Sequence, residues 1–246
     1  MTAHDDLPFA EPVSPSPGLV VARRDFFGTV AAACAVAAVP GAPTSWRHRE
    51  AAGDWTVEEF VREVTPVCKE LLADTSARGQ DRYLLVLASF AVRLGGVPVP
   101  ENAREVGRGH RIGSNHGPEP FTMLHWLLEP GATITPHAHT YGIVTTLGLT
   151  GSALVSNYEA IGKPDFTSTA DVDVVRTQDQ VLRPGDINLV SLERHYVHGF
   201  VAGRSGASGL DITTRIVPRT KSPQLIVGEP VDAPARTFRG RWKVGD

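Results

Sequence analysis

The sequence predicts a mainly β protein preceded by a helical hairpin, on three observations. Gly (24) and Pro (19) are frequent among the 246 residues while aromatics make up only 7%, a balance that favours short strands broken by turns over a long helical bundle. Apolar residues recur at three- and four-residue spacing between Trp55 and Leu94, the period of a buried helix face. After Gly113 that period gives way to short apolar stretches separated by turn residues, the mark of strands.

Taken in chain order, residues 1–17 carry Asp5, Asp6, Glu11 and four prolines, with too little apolar content to offset the entropy of ordering. Arg23-Arg24 follows, then Phe26-Phe27, a weakly hydrophobic Ala/Val run to Val39, and Pro40-Gly41-Ala42. This layout resembles a twin-arginine export signal with a small-residue cleavage site between Ala35 and Ala42. The resemblance implies export to the periplasm or beyond, and the export machinery as a partner. An Ala-rich amphiphilic helix of a cytoplasmic protein is the alternative. The run falls short of the ~20 apolar residues of a membrane span, so no stable membrane insertion is expected.

In the helical segment, Thr56 precedes Val57-Glu58-Glu59, and Phe60, Val61, Val64, Val67, Leu71 and Leu72 form one apolar face, with Thr56 placed to cap it. Pro66 inside this run is expected to kink it. A second face, Tyr83, Leu84, Leu87, Phe90, Ala91 and Leu94, ends at Gly95-Gly96. Cys68 falls in the first helix and reads as a small buried hydrophobe. Strands are expected over residues 121–128, 133–135, 143–149, 152–158, 172–176, 186–190, 197–201, 210–217 and 224–226. The organisation read from this is a leader over 1–42, helices over 43–100, a barrel over 101–229 and a surface tail over 230–246.

Composition also excludes classes of partner. A net charge of −3 from 24 basic and 27 acidic residues gives no bulk field for phosphate backbones, so nucleic acid is not expected. Two cysteines, Cys34 and Cys68, cannot build a disulfide framework or a thiolate zinc site. Any metal must be held by histidine or carboxylate.

The histidines that suit such a role begin with Pro136-His137-Ala138-His139. On a strand, residues two apart face the same way, so His137 and His139 can present two imidazoles to one cation. The stretch from Phe121 to Glu159, a strand, Pro130-Gly131, the HxH pair, an apolar strand and Gly151, resembles the first block of a cupin. Leu182 to Gly203, with Pro184-Gly185-Asp186 leading to a histidine, resembles the second. The resemblance implies a double-stranded β-helix, or jelly-roll barrel, over about half of the chain.

Metal cupins commonly place a Glu four or five residues beyond HxH, where this chain has Ile143 and Val144. A three-histidine site is therefore implied, similar to that of thiol dioxygenases: the cysteamine dioxygenase and plant cysteine oxidase group, and cysteine dioxygenase. The likeness runs through Gly131, His137, His139, Val144, Gly151-Ser152, Tyr158-Glu159, His198-Gly199-Phe200-Val201-Ala202 and Leu210-Asp211-Ile212. It implies one mononuclear Fe(II), with a small-molecule thiol and dioxygen as partners and a sulfinate as product. The third ligand lies between His195 and His198, and the family's spacing to Asp211 implies His198. Asp211 and Tyr158 are the implied catalytic residues. Arg111, about 26 residues before HxH as in the cysteine branch, is the implied partner of a substrate carboxylate. The tyrosines of both branches are missing at their usual places, which leaves Tyr141, Tyr158 or Tyr196 to supply a hydroxyl. His125 has a parity that could turn it into the barrel, and His110 and His116 read as loop residues. The rival readings are a non-catalytic cupin that binds a metal or small ligand, and a cupin enzyme of other chemistry using Mn, Ni or Zn.

Overall fold

The computed structural model describes residues 53–117, 119–218 and 222–243. The leader, with its paired arginines, lies outside the described residues. Two helices come first, α1 (Val57–Ala73) and α2 (Ala77–Ala91). Thr56 caps α1 as expected: its hydroxyl accepts from the Glu59 amide at 3.2 Å while the Glu59 carboxylate accepts from the Thr56 amide at 2.8 Å, satisfying two donors that a helix start leaves free. The helix runs on through Pro66.

Ten strands follow: β1 (Arg104–Gly107), β2 (His110–His116), β3 (Phe121–Leu128), β4 (Thr133–Ala138), β5 (Gly142–Ala160), β6 (Asp171–Leu182), β7 (Ile187–Val190), β8 (Val197–Arg215), β9 (Gln224–Asp232) and β10 (Thr237–Lys243). The two 19-residue strands β5 and β8 organise the fold, because each serves two sheets. Residues 142–151 of β5 pair with 207–215 of β8, flanked by β3 and β7. Residues 153–158 pair with 197–202, flanked by β4 and β6. The crossover sits at Gly151 (φ +63°) and Gly206 (φ +74°), where a left-handed backbone is needed and a Cβ on Gly151 would run into the Gly206 carbonyl. Two four-stranded antiparallel sheets joined in this way make a jelly roll. It is the mainly β barrel, preceded by two helices, that the sequence predicts.

Each sheet has one face inward and one outward, and three cores result. Between the sheets lie Trp126, Leu128, Ala153, Val155, Leu182, Phe200 and Ala202. The outer face of the β3–β8–β5–β7 sheet, with Phe121, Met123, Ile143, Leu147, Leu210 and Ile212, is covered by Phe60, Val64, Cys68, Leu71, Leu84 and Leu87 of the helices. Tyr83 Oη and Thr214 Oγ1, 2.6 Å apart, join the two layers. The third core corrects the expected surface tail. β10 pairs with β6 and β9, and β9 reaches β4 at Gln224 and His137, so six strands close into a second ring outside the other sheet. Ala138, Tyr158, Val174, Val197, Leu225 and Trp242, one from each of those strands, fill it. Among the described residues, no helix is long and apolar enough to cross a membrane.

Candidate metal centre

Strand parity brings three imidazoles together between the two sheets. His137 pairs with His198 across β4 and β8, and His198 pairs with Asn157 across β8 and β5, so all three share the inner face. An irregularity between Ile134 and His137 resets the alternation of β4, and Ile134 and His137 both face inward as a result. His139 lies just past the strand, where its amide donates to the Tyr196 carbonyl at 2.8 Å. Ring centroids are 4.9 Å apart for His137 and His139, 4.9 Å for His137 and His198, and 4.7 Å for His139 and His198.

One ligand atom from each ring lies within 4.8 Å of the others, and the Nε2 atoms of His139 and His198 are 2.9 Å apart. Two nitrogens at that separation can both sit about 2.1 Å from one cation. His137 Nδ1 donates to the Thr135 carbonyl at 3.1 Å. Since a carbonyl only accepts, this fixes the proton on Nδ1 and leaves Nε2 a bare lone pair, the form a metal needs. Burial pushes the pKa of His137 down, and those of His139 and His198 well below the usual imidazole value, with mutual repulsion adding to it. The rings therefore stay neutral at pH 7. Ile143 and Val144 are fully buried aliphatics, and among the described residues no carboxylate joins the cluster.

His195 does not enter the cluster. It sits in the turn before β8 with φ +57°, its Nδ1 2.8 Å from Thr177 Oγ1 and its amide donating to Glu159 at 2.7 Å. Asp211 is inside the barrel, but its carboxylate takes the Thr146 hydroxyl at 2.6 Å and the Trp126 indole N–H at 3.3 Å, and no imidazole. Trp126 packs on Phe200 at 5.2 Å and Phe200 on His198 at 4.7 Å, so two rings stand between the acid and the histidines. Burial raises the Asp211 pKa to about 6, more than those two hydrogen bonds lower it.

Other expected site residues lie elsewhere. Arg111 is exposed on β2 and bonds the Ala103 carbonyl at 3.5 Å; it pairs with Leu127, one step out of phase with the inward Trp126. Tyr158 pairs with Val197 and packs in the outer ring, on the face opposite His198. The Tyr196 hydroxyl accepts the Ala160 amide at 2.6 Å. His125 is turned from the barrel interior, on the same face as Met123 and Leu210. His110 and His116 are on β2 and not in a loop. His110 pairs with Leu128 on the inner face, and a charge on it further lowers the His137 pKa. Also unforeseen is an amide pair under the histidines: Asn188 Nδ2 donates to Asn157 Oδ1 at 2.8 Å, tying β7 to β5 across the barrel.

A cavity of about 370 Å³ opens beside His139. Glu159, Glu193, Phe166, Leu192 and Tyr196 line it, and among the described residues no lysine or arginine does.

No family model matches the chain, and no curated protein matches it. Solved structures are similar to it. KdgF from Halomonas sp. is 19% identical, with a TM-score of 0.35 over 49% of this chain and 90% of that one. A Klebsiella pneumoniae protein with a double-stranded β-helix domain is 18% identical, with a TM-score of 0.35 over 47% and 84%. The 11S globulin from Wrightia tinctoria is 19% identical, with a TM-score of 0.39 over 52% and 30%. The likeness is one of fold.

Proposed function

We propose that this protein is an Fe(II)-dependent thiol dioxygenase acting on a small thiol. One observation carries the reading: three neutral imidazoles, those of His139 and His198 buried and that of His137 partly so, converge with no carboxylate in the cluster among the described residues. His137, His139 and His198 would hold the ion, adding no negative charge to it and leaving positions for other ligands. Bound there, Fe(II) would bring a thiolate and dioxygen together so that both oxygen atoms pass to sulfur, RSH + O2 giving RSO2H.

The chain's own part is to hold, orient and exclude water. Asn157 and Asn188 brace the strand beside His198, and Phe200 and Trp126 keep the space behind it dry. The cavity next to His139 is acidic through Glu159 and Glu193, and Arg111 is not there to pair a carboxylate. Both features favour a thiol that carries an amine, of the cysteamine type, over cysteine.

The test is oxygen consumption by Fe(II)-loaded protein with a panel of thiols, with the sulfinate identified by mass. Cysteamine should turn over faster than cysteine, and no uptake with any thiol would overturn the reading. A second reading, a cupin that binds a metal or small ligand without oxygen chemistry, has one observation in its favour: Tyr158 faces the outer ring and the Tyr196 hydroxyl accepts a backbone amide. It predicts metal binding with no uptake.

A further inference from the structure

The turn from Ser191 to Tyr196 is the wall of the cavity beside His139, contributing Leu192, Glu193 and Tyr196. Three of its amides, those of Ser191, Glu193 and Arg194, are satisfied within it. The Ser191 amide donates to the Arg194 carbonyl at 3.0 Å, and Ser191 Oγ accepts from the amides of Glu193 at 3.3 Å and Arg194 at 2.9 Å. Two other amides leave the turn: that of His195 donates to Glu159 at 2.7 Å, and that of Leu192 is the second. It points out of the turn to α2, where the Gln80 side chain accepts it at 3.1 Å.

Gln80 is unusual for a polar helix residue: it is 2% exposed. Its other end is spoken for as well, since Nε2 donates to the Thr75 carbonyl at 2.9 Å in the connection between α1 and α2. One buried amide thus bridges the helical hairpin to the cavity wall. Arg194 of the same turn forms an ion pair with Asp81, but that pair is exposed and contributes little. Leu192 itself packs against the core under the helices.

We propose that Gln80 is a positioning residue: through the Leu192 amide it holds the Ser191–Tyr196 turn to α2 and so sets the wall of the cavity next to His139. The helical hairpin is then part of the site's architecture. This rests on the metal-centre reading only for its consequence, because the tether itself can be observed without any metal. Removing the acceptor leaves the part-buried Leu192 N–H unpaired, which the turn relieves by opening.

Amide hydrogen exchange of wild type, Gln80→Leu and Gln80→Glu tests the tether. Gln80→Leu should exchange roughly five- to tenfold faster over Ser191–Tyr196, with β5 and β8 unchanged. Gln80→Glu keeps an acceptor for Leu192 and should preserve the protection. Should Gln80→Leu fail to fold, Gln80→Asn, polar but one methylene too short to reach Leu192, makes the same comparison. A second readout is cysteamine titrated into Co(II)-loaded protein and followed by thiolate-to-metal absorption: Gln80→Leu should bind cobalt as wild type does and cysteamine more weakly. Unchanged exchange over the turn in Gln80→Leu and Gln80→Asn would overturn the proposal. A wild-type protein that binds cobalt but no thiol would instead count against the thiol reading, with the exchange result standing by itself.

Discussion

The inner barrel and the outer ring share four strands, β4, β5, β6 and β8, and on three of them a single residue step separates the two faces. On β4 it is His137 against Ala138, on β8 His198 against Val197, and on β5 Asn157 against Tyr158. The first of each pair faces the space between the sheets, and the second faces the ring closed by β9 and β10. Alternation along a strand has a period of two, so the same backbone supplies a polar, metal-suited interior and an apolar core back to back. The lesson is that the C-terminal hairpin is what allows this. Without it Tyr158, Val197 and Ala138 would face water, and the sheet that carries the histidines would have one supported face instead of two.

The sharpest way to break the comparison is to remove the chemistry from one side only. His198→Ala should lower metal affinity by more than about a hundredfold, since residues that merely orient ligands already cost 10–100-fold. His195→Ala should bind metal as wild type does. Equilibrium dialysis with Fe(II) or Co(II) under anaerobic conditions measures both, and a reversal of the two results would reassign the third ligand. Trp242→Ala works on the other side. It empties the largest ring in the outer core and should cost about 3–5 kcal/mol in urea unfolding, while the folded fraction keeps its metal affinity.

How far each side was legible follows from the same parity. His137 and His139 are two apart in sequence and announce themselves, and His198 is marked by the Pro184-Gly185-Asp186 turn ahead of it. Tyr158 was misplaced because the pattern around Asn157 and Tyr158 does not say which of them faces inward, and a register shift between them on the β6 side obscures it further. β10 reads as a tail because Arg239 and Arg241 dominate it. Its pairing with β6 and β9 turns Gly240 and Trp242 inward, in alternation with those arginines. β2 was missed for a similar reason: His110, Ser114, Asn115 and His116 offer no apolar alternation. Arg111 shows that distance along the chain from HxH does not fix which face of a strand a residue takes.

Asp211 offers a finer test, because it is a charged group placed on the inner side. Its native pKa of about 6 lies above the unfolded value near 3.9, so the native state holds the proton more tightly. Between about pH 4 and pH 6 the unfolded chain binds fewer protons than the native one, and stability falls as pH rises. The destabilisation is complete above pH 6 and absent below pH 4. Asp211→Asn keeps an acceptor for Thr146 and Trp126 and removes the charge. Metal-free Asp211→Asn should be more stable than wild type at pH 8 by up to about 3 kcal/mol and equal to it at pH 4. An equal difference at both values would mean that the carboxylate is solvated.

The smallest expected effect belongs to the residue that the structure places outside. Arg111→Ala should leave kcat/KM unchanged for every thiol the protein accepts, because a lost buried carboxylate clamp would cost about 2–5 kcal/mol and Arg111 is exposed on β2. A drop of roughly a hundredfold with cysteine alone would bring Arg111 back into the site.

The central claim is that three imidazoles and no carboxylate hold one metal ion. X-ray absorption at the iron edge of anaerobically loaded protein counts imidazole ligands through their ring scattering and tests it most directly. One ion per chain with three imidazoles, falling to two in His198→Ala, is the predicted result. A wild-type shell with two imidazoles and a carboxylate, or no bound iron at all, would contradict it.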